Sequence, residues 1–140
     1  MNWEECKKRG FIREKIPKKE KIESLLISSK KKLISHQQLA INEDTASSKV
    51  SLLYDSVRIA LEALAIKKGY KIYNHECITC FLKEILNEKE ISEKFDKYRV
   101  IRNGFNYYGE DVAVNEAKIM SEELSSLRSQ INNKYFEGTI

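Results

Sequence analysis

The chain has 140 residues, 41% of them apolar and 33% charged, with a formal net charge of +4. This is the length of one domain, long enough to bury a core, and the composition of a charge-rich globular protein. No apolar run approaches the roughly 20 residues that span a bilayer, and no apolar segment of a signal peptide follows Met1-Asn2-Trp3-Glu4-Glu5. Membrane insertion is therefore excluded and the cytoplasm expected.

One proline and five glycines leave few breaks and favour long helices. Asn2 is placed to cap a short helix over 3–9, closed by Gly10. Trp3, Phe11 and Ile12 would fasten this arm, residues 1–16, to the body. Pro17 suits the start of a second helix over 18–39. Its apolar positions Ile22, Leu25, Leu26, Ile27, Leu33 and Ile34 leave the lysines outside. Residues 42–48 form a connection.

A third helix over 49–68 carries the stripe Val50, Leu53, Tyr54, Val57, Leu61, Leu64, and Ala60, Ala63 and Ala65 admit close neighbours, which predicts a central helix. Gly69 ends it, and residues 70–73 read as an extended link. Asn74 caps a fourth helix over 75–86. Asn87 with Glu90 predicts a capping box for a fifth over 88–108, stopped by Gly109. The last helix starts at Asp111 or Asn115 with the stripe Ala117, Met120, Leu124, Leu127, Ile131. No alternating strand pattern is present. The expectation is one all-α domain over 1–140, an up-and-down antiparallel bundle of four long helices with one or two short ones.

The charge is uneven. Residues 1–35 hold eleven Lys and Arg against five Asp and Glu, a net +6, while the remaining residues sum to −2. Such a basic end either contacts phosphates or forms a solvated helix face. Three cysteines, Cys6, Cys77 and Cys80, are an odd count, and a disulfide is not expected. Cys77 and Cys80 share a helix face as core cysteines do. With no second ligand pair, neither a metal site nor a cofactor is implied. His36, near a helix end, is expected to be exposed. His75, just after an N-cap, is read as structural, with its protonation disfavoured by the helix dipole.

Residues 98–109, Tyr-Arg-Val-Ile-Arg-Asn-Gly-Phe-Asn-Tyr-Tyr-Gly, carry the chemistry. The stripe Ile91, Phe95, Tyr98 reaches position 102 and then Phe105, and position 102 is an arginine. A guanidinium on a core-facing stripe must be paired or reach water. Arg99, Asn103, Asn106 and Tyr107 fall on one side with Arg102 beside them, and Tyr108 follows. Guanidinium forks, amides and phenols suit phosphate oxygens and base edges. Gly104 in mid-helix costs about 1 kcal/mol against Ala, which points to a close neighbour there: another helix, a dimer mate or a ligand. Alternatively Arg102 pairs with a core carboxylate such as Asp55, which is also placed to pair with Arg58.

Tyr54-Asp55-Ser56-Val57-Arg58, Glu62-Ala63-Leu64, Lys68-Gly69-Tyr70, Asn74-His75-Glu76-Cys77 and the run from Arg99 to Gly109 together resemble, in order and spacing, the HEPN superfamily (higher eukaryotes and prokaryotes nucleotide-binding domain). The likeness covers roughly residues 18–135 and is strongest to small stand-alone prokaryotic, largely archaeal, members. It implies an antiparallel bundle, commonly a homodimer. Many members cleave RNA without a metal, using an Arg and a nearby His at the dimer interface. Arg102 matches that Arg, and Asn103 the polar residue that often joins the site. In toxin–antitoxin members the partner is a minimal nucleotidyltransferase that can modify a tyrosine near the motif.

The chain departs from this pattern at the His. Tyr107 stands at its place, and no histidine follows Asn103. A phenol with a pKa of about 10 is a poor general base at neutral pH. The expected function is therefore binding of RNA, a nucleotide or a partner protein through the Arg102–Tyr108 face, without efficient ribonuclease activity. One alternative is a metal-independent ribonuclease toxin using Arg102, Asn103 and Tyr107. Another is a structural dimeric interaction module.

Overall fold

The computed structural model describes all 140 residues. Its centre is the helix α3 (Ala46–Lys67), in which fourteen of 22 residues are buried. Val50, Leu53, Tyr54, Val57, Leu61 and Leu64 form the expected stripe, and Ala60, Ala63 and Ala65 are fully buried on its flanks. A helix apolar on so much of its circumference must be covered from several sides.

Four other helices and the short strand over residues 70–72 cover it. Helix α2 (Lys19–Gln38) runs antiparallel along α3, since Ser29 meets Ser56 and His36 meets Lys49. Helix α5 (Lys89–Tyr107) lays Phe95 on Tyr54. Helix α6 (Val114–Tyr135) brings Arg128 to Ser56, and its Tyr135 carbonyl accepts from Lys67 Nζ at 3.2 Å, so it runs parallel to α3. Helices α5 and α6 are antiparallel: Glu88 binds Lys134 and Tyr135, while Lys97 bridges to Glu123 at 3.1 Å. Short helix α4 (His75–Cys80) continues into a π-helical turn over Phe81–Ile85. No helix is long and apolar enough to cross a membrane. One apolar cluster of 27 buried residues forms the core, and α2 packs against it with the partly buried Ile22, Leu25, Leu26 and Leu33.

Inside the α2–α3–α6 junction Arg128 is only 5% exposed. Its Nε donates to Ser56 Oγ at 2.8 Å and Nη2 to Ser29 Oγ at 3.3 Å. Each serine hydroxyl also donates to the other's carbonyl at 2.7 Å. Arg128 Nη1 donates to the Ile140 main-chain oxygen at 3.3 Å, so the buried guanidinium has the hydrogen-bond partners that its charge requires.

Several expectations need correction. The fold is mostly helical, consistent with the all-α class, but it carries one small ribbon that was not expected: Ile12–Glu14 (β1) pairs antiparallel with Tyr70–Ile72 (β2), Ile12 opposite Ile72. Three-residue strands are too short to show alternation, so periodicity could not reveal them. Cys6 and Cys77 form a disulfide, against expectation, because α1 (Trp3–Lys8) docks on α4 and brings their Cα atoms to 6.0 Å. Cys80 stays free and buried.

His36 is 8% exposed rather than solvent-facing. Its Nδ1 lies 2.8 Å from the Lys49 carbonyl, and Lys49 Nζ donates back to the carbonyls of His36 and Leu39, each at 2.6 Å. Lysine here satisfies the terminal carbonyls of α2. Asn2 and Asn74 cap as expected, Asn74 accepting from the amides of Glu76 and Cys77. The capping box does not form: Asn87 has φ 56° and ends the π turn in the left-handed region, while α5 begins after Glu88 without a side-chain cap.

Candidate ligand site

The α5 stripe behaves as its spacing dictates up to Tyr98: Ile91, Phe95 and Tyr98 are buried. At Arg102 the side chain turns onto α3. Its Cζ lies 5.8 Å from the centre of the Tyr54 ring, on which Phe95 stacks at 5.3 Å and 19°. A cation over an aromatic face is favourable, more so away from water. With its carboxamide oxygen turned toward the guanidinium, Asn106 accepts from Arg102 Nε at 2.9 Å and from Nη2 at 3.3 Å.

The counter-charge is Asp55. Its Oδ1 lies 3.5 Å from Arg102 Nη2 and 3.6 Å from Arg58 Nε, and all three side chains are under one-fifth exposed. These distances are ionic but longer than hydrogen bonds. Accordingly Asp55 Oδ1 and Arg58 Nε, though buried, have no hydrogen-bond partner. The other arm of Arg58 is closely engaged, Nη1 to Glu62 Oε1 at 2.9 Å. Buried polar atoms left without partners are uncommon and mark strained or functional places.

The other expected site residues divide. Arg99 Nε binds Asp96 Oδ1 at 2.8 Å, and Asp96 accepts from Thr79 on α4 at 3.1 Å. Asn103 is half-buried. Tyr107 and Tyr108 are 70% and 77% exposed and stand outside the cluster. Gly104 is buried, and the Glu110 side chain, from the turn after α5, lies against it. A Cβ there would collide with the Glu110 carboxylate. The close neighbour implied by a mid-helix glycine is thus a side chain of the same molecule.

The structure also places His75 here, a residue read from sequence as merely structural. Its Nδ1 lies 3.2 Å from the Tyr54 hydroxyl. Burial, then the positive charges of Arg58 and Arg102, push its pKa down to about 4. Burial likewise raises the Tyr54 phenol, and the same arginines oppose that shift. Its position after the Asn74 cap and within the run Asn74-His75-Glu76-Cys77 marks His75 only weakly, since it joins the site from α4 through space.

This depression has a measurable consequence. The unfolded imidazole takes up its proton near pH 6.5, while the folded one refuses it down to about pH 4. The contribution to stability is complete above pH 6.5 and is lost as pH falls toward 4. His36, also depressed by burial, acts with the same sign. Urea unfolding at pH 7.5 and pH 4.5 is expected to show a marked fall for the native chain and a smaller one for His75→Gln. Equal falls in both proteins would mean that His75 is not held neutral.

The cluster offers arginine and amide donors, a buried carboxylate and a neutral imidazole, and no group of three or more His, Cys, Asp or Glu is gathered to hold a metal. It suits recognition of an anionic oxygen better than Lewis-acid chemistry. Comparison with protein-family models, with curated proteins and with solved structures finds no match to the chain.

Proposed function

We propose that the chain is a HEPN-like helical module, built as an up-and-down bundle, that binds RNA or a nucleotide through the Arg102–Tyr108 face of α5 and does not cleave RNA efficiently. The observation that carries this reading is the loose pairing of Arg102. Tyr54 and Asn106 hold the guanidinium in place, while its carboxylate partner stays at 3.5 Å. A phosphate oxygen offers that fork a shorter, charge-assisted hydrogen bond in exchange for the weak contact to Asp55. Tyr107 and Tyr108 lie outside it, open to stack on bases or to be modified by a nucleotidyltransferase partner of the kind the family resemblance implies.

The same geometry argues against efficient cleavage. Attack by a ribose 2′-hydroxyl needs a base, and departure of the leaving oxygen needs an acid. An imidazole with a pKa of about 4 is a weak base and at pH 7 is not in the imidazolium form that serves as a general acid. It is also turned onto Tyr54.

A second reading has its own support. The Arg102–Asp55 pair and the Tyr54 stack tie α5 to α3, so the arginine would serve the bundle and the face would be an interaction module, homodimeric by the family resemblance. Arg102→Ala separates the readings. With EDTA present, the native protein is expected to bind labelled RNA or nucleotide without degrading it, and the variant to bind about tenfold or more weakly, the worth of one charge-assisted hydrogen bond. Cleavage that disappears in the variant would instead establish a ribonuclease. Unchanged binding with a large loss of thermal stability would assign Arg102 to the fold.

A further inference from the structure

We propose a second binding surface, distinct from the Arg102 face: a lysine groove beside the β1–β2 ribbon that holds the phosphodiester backbone of single-stranded nucleic acid. Lys15, Lys18, Lys21 and Lys71, with Ile16 and Ile66, line a groove of about 260 Å³. Three of the lysines come from the segment entering α2. The fourth comes from β2, fifty residues further along the chain, carried there by the antiparallel pairing of β1 with β2. Lys68 lines the adjoining concavity with Lys15 and Gly69.

These four lysines have no ion-pair partner, in contrast to Lys19, which bridges to Glu23, and Lys97, which bridges to Glu123. The carboxylates lining the adjoining concavities are Glu14 and Glu62. Glu62 is already bound to Arg58 at 2.9 Å, so its charge is largely taken. Four like charges converging on one concavity repel one another, and a polyanion relieves that repulsion while releasing its condensed counterions.

Two features favour a single strand. Tyr73, 50% exposed, follows β2, with Lys71 Nζ 5.2 Å and Arg13 Cζ 5.8 Å from its ring centre. An accessible ring flanked by cations is a platform for an unstacked base. Ile16, 85% exposed at the groove edge, adds apolar surface that a duplex backbone would not use. Lysines serve phosphates as flexible point charges, which suits a sequence-tolerant track. Arrangement matters more than basic composition: Lys30, Lys31 and Lys32 sit two turns and more further along α2 and line none of this groove.

The test is fluorescence anisotropy with a labelled single-stranded oligouridylate across a salt series, using the full chain. Lys15→Gln/Lys18→Gln/Lys21→Gln is expected to lower the slope of log K against log salt by about 2, at about 0.7 for each single-strand phosphate contact. Lys71→Gln alone is expected to lower it by about 0.7. A control with the same loss of charge, Lys30→Gln/Lys31→Gln/Lys118→Gln, should leave the slope near that of the native protein. These replacements are at exposed or half-exposed positions, so unchanged melting curves confirm the fold.

Several results would overturn the proposal. An equal loss in the control would mean diffuse attraction. No effect of Lys71→Gln would mean that the basic arm binds without the groove. Duplex RNA bound as tightly as the single strand, full competition by millimolar inorganic phosphate, or no binding of any nucleic acid would each end it. Arg102→Ala leaves this groove intact, so failure of the Arg102 reading and failure of the groove give different patterns.

Discussion

Reduction of the Cys6–Cys77 bond is expected to lower the stability of the protein by about 4 kcal/mol. The bond closes a loop across 71 residues of sequence. In the chain-entropy account a loop of that length restricts the unfolded chain by about that amount. It also guards contacts that a six-residue helix could not keep by itself. Trp3 packs edge-on against Tyr70 at 5.2 Å and tilted against Phe81 at 6.0 Å, and its backbone amide donates to Glu84 Oε2 at 2.8 Å.

Urea melts of the oxidised protein, of the protein in dithiothreitol, and of Cys6→Ser/Cys77→Ser check this. The last two should agree with each other and fall well below the first. A difference within about 1 kcal/mol would show that the arm is held by its packing alone and that the bond adds little. Disulfides persist in oxidising compartments and are reduced in the cytosol, so the oxidised and reduced melts give the stability expected in each setting.

Phe95→Ala is expected to cost about 3–5 kcal/mol, the usual range for deleting a fully buried aromatic ring. Phe95 has no exposed surface and stacks on Tyr54, which in turn carries Arg102 and hydrogen-bonds His75. The ring is therefore the floor of the candidate site as well as core. Phe95→Leu, which keeps most of the volume, should cost far less, with about 0.5–1.5 kcal/mol of that from the lost stacking. Calorimetry or urea melts read the stability. Ligand affinity of the leucine variant, measured where it is fully folded, reads the site. If the alanine variant lost less than about 1 kcal/mol, α5 would not be packed through this ring.

How much of the site was legible divides at Arg102. Its misfit to the stripe Ile91, Phe95, Tyr98 marked it without any structure, and Asp55 was a nameable partner because it sits on the helix expected to be central. Asn106, one turn beyond, follows from helical spacing. Arg99 is visible as chemistry, and Asp96, three residues before it on the same helix, takes its charge. Tyr107 and Tyr108 carry suitable chemistry yet lie exposed outside the cluster, because exposure at a helix end is set by what packs beside it. His75 and Arg128 were missed as site and core residues. No local pattern marks a polar side chain whose partners lie on other elements.

What the amino-acid sequence determined by itself is local: the helices, their caps at Asn2 and Asn74, the central rank of α3 and the anomaly at position 102. Those follow from spacing along one chain segment, where neighbours are known. Only the tertiary structure decided that Cys6 meets Cys77, that two three-residue strands pair, that His36 is buried under Lys49, and that Lys71 joins Lys15, Lys18 and Lys21. Each of these joins residues far apart in the chain. Such contacts depend on how apolar faces stack around α3, and a stack of faces has no period to read along the chain.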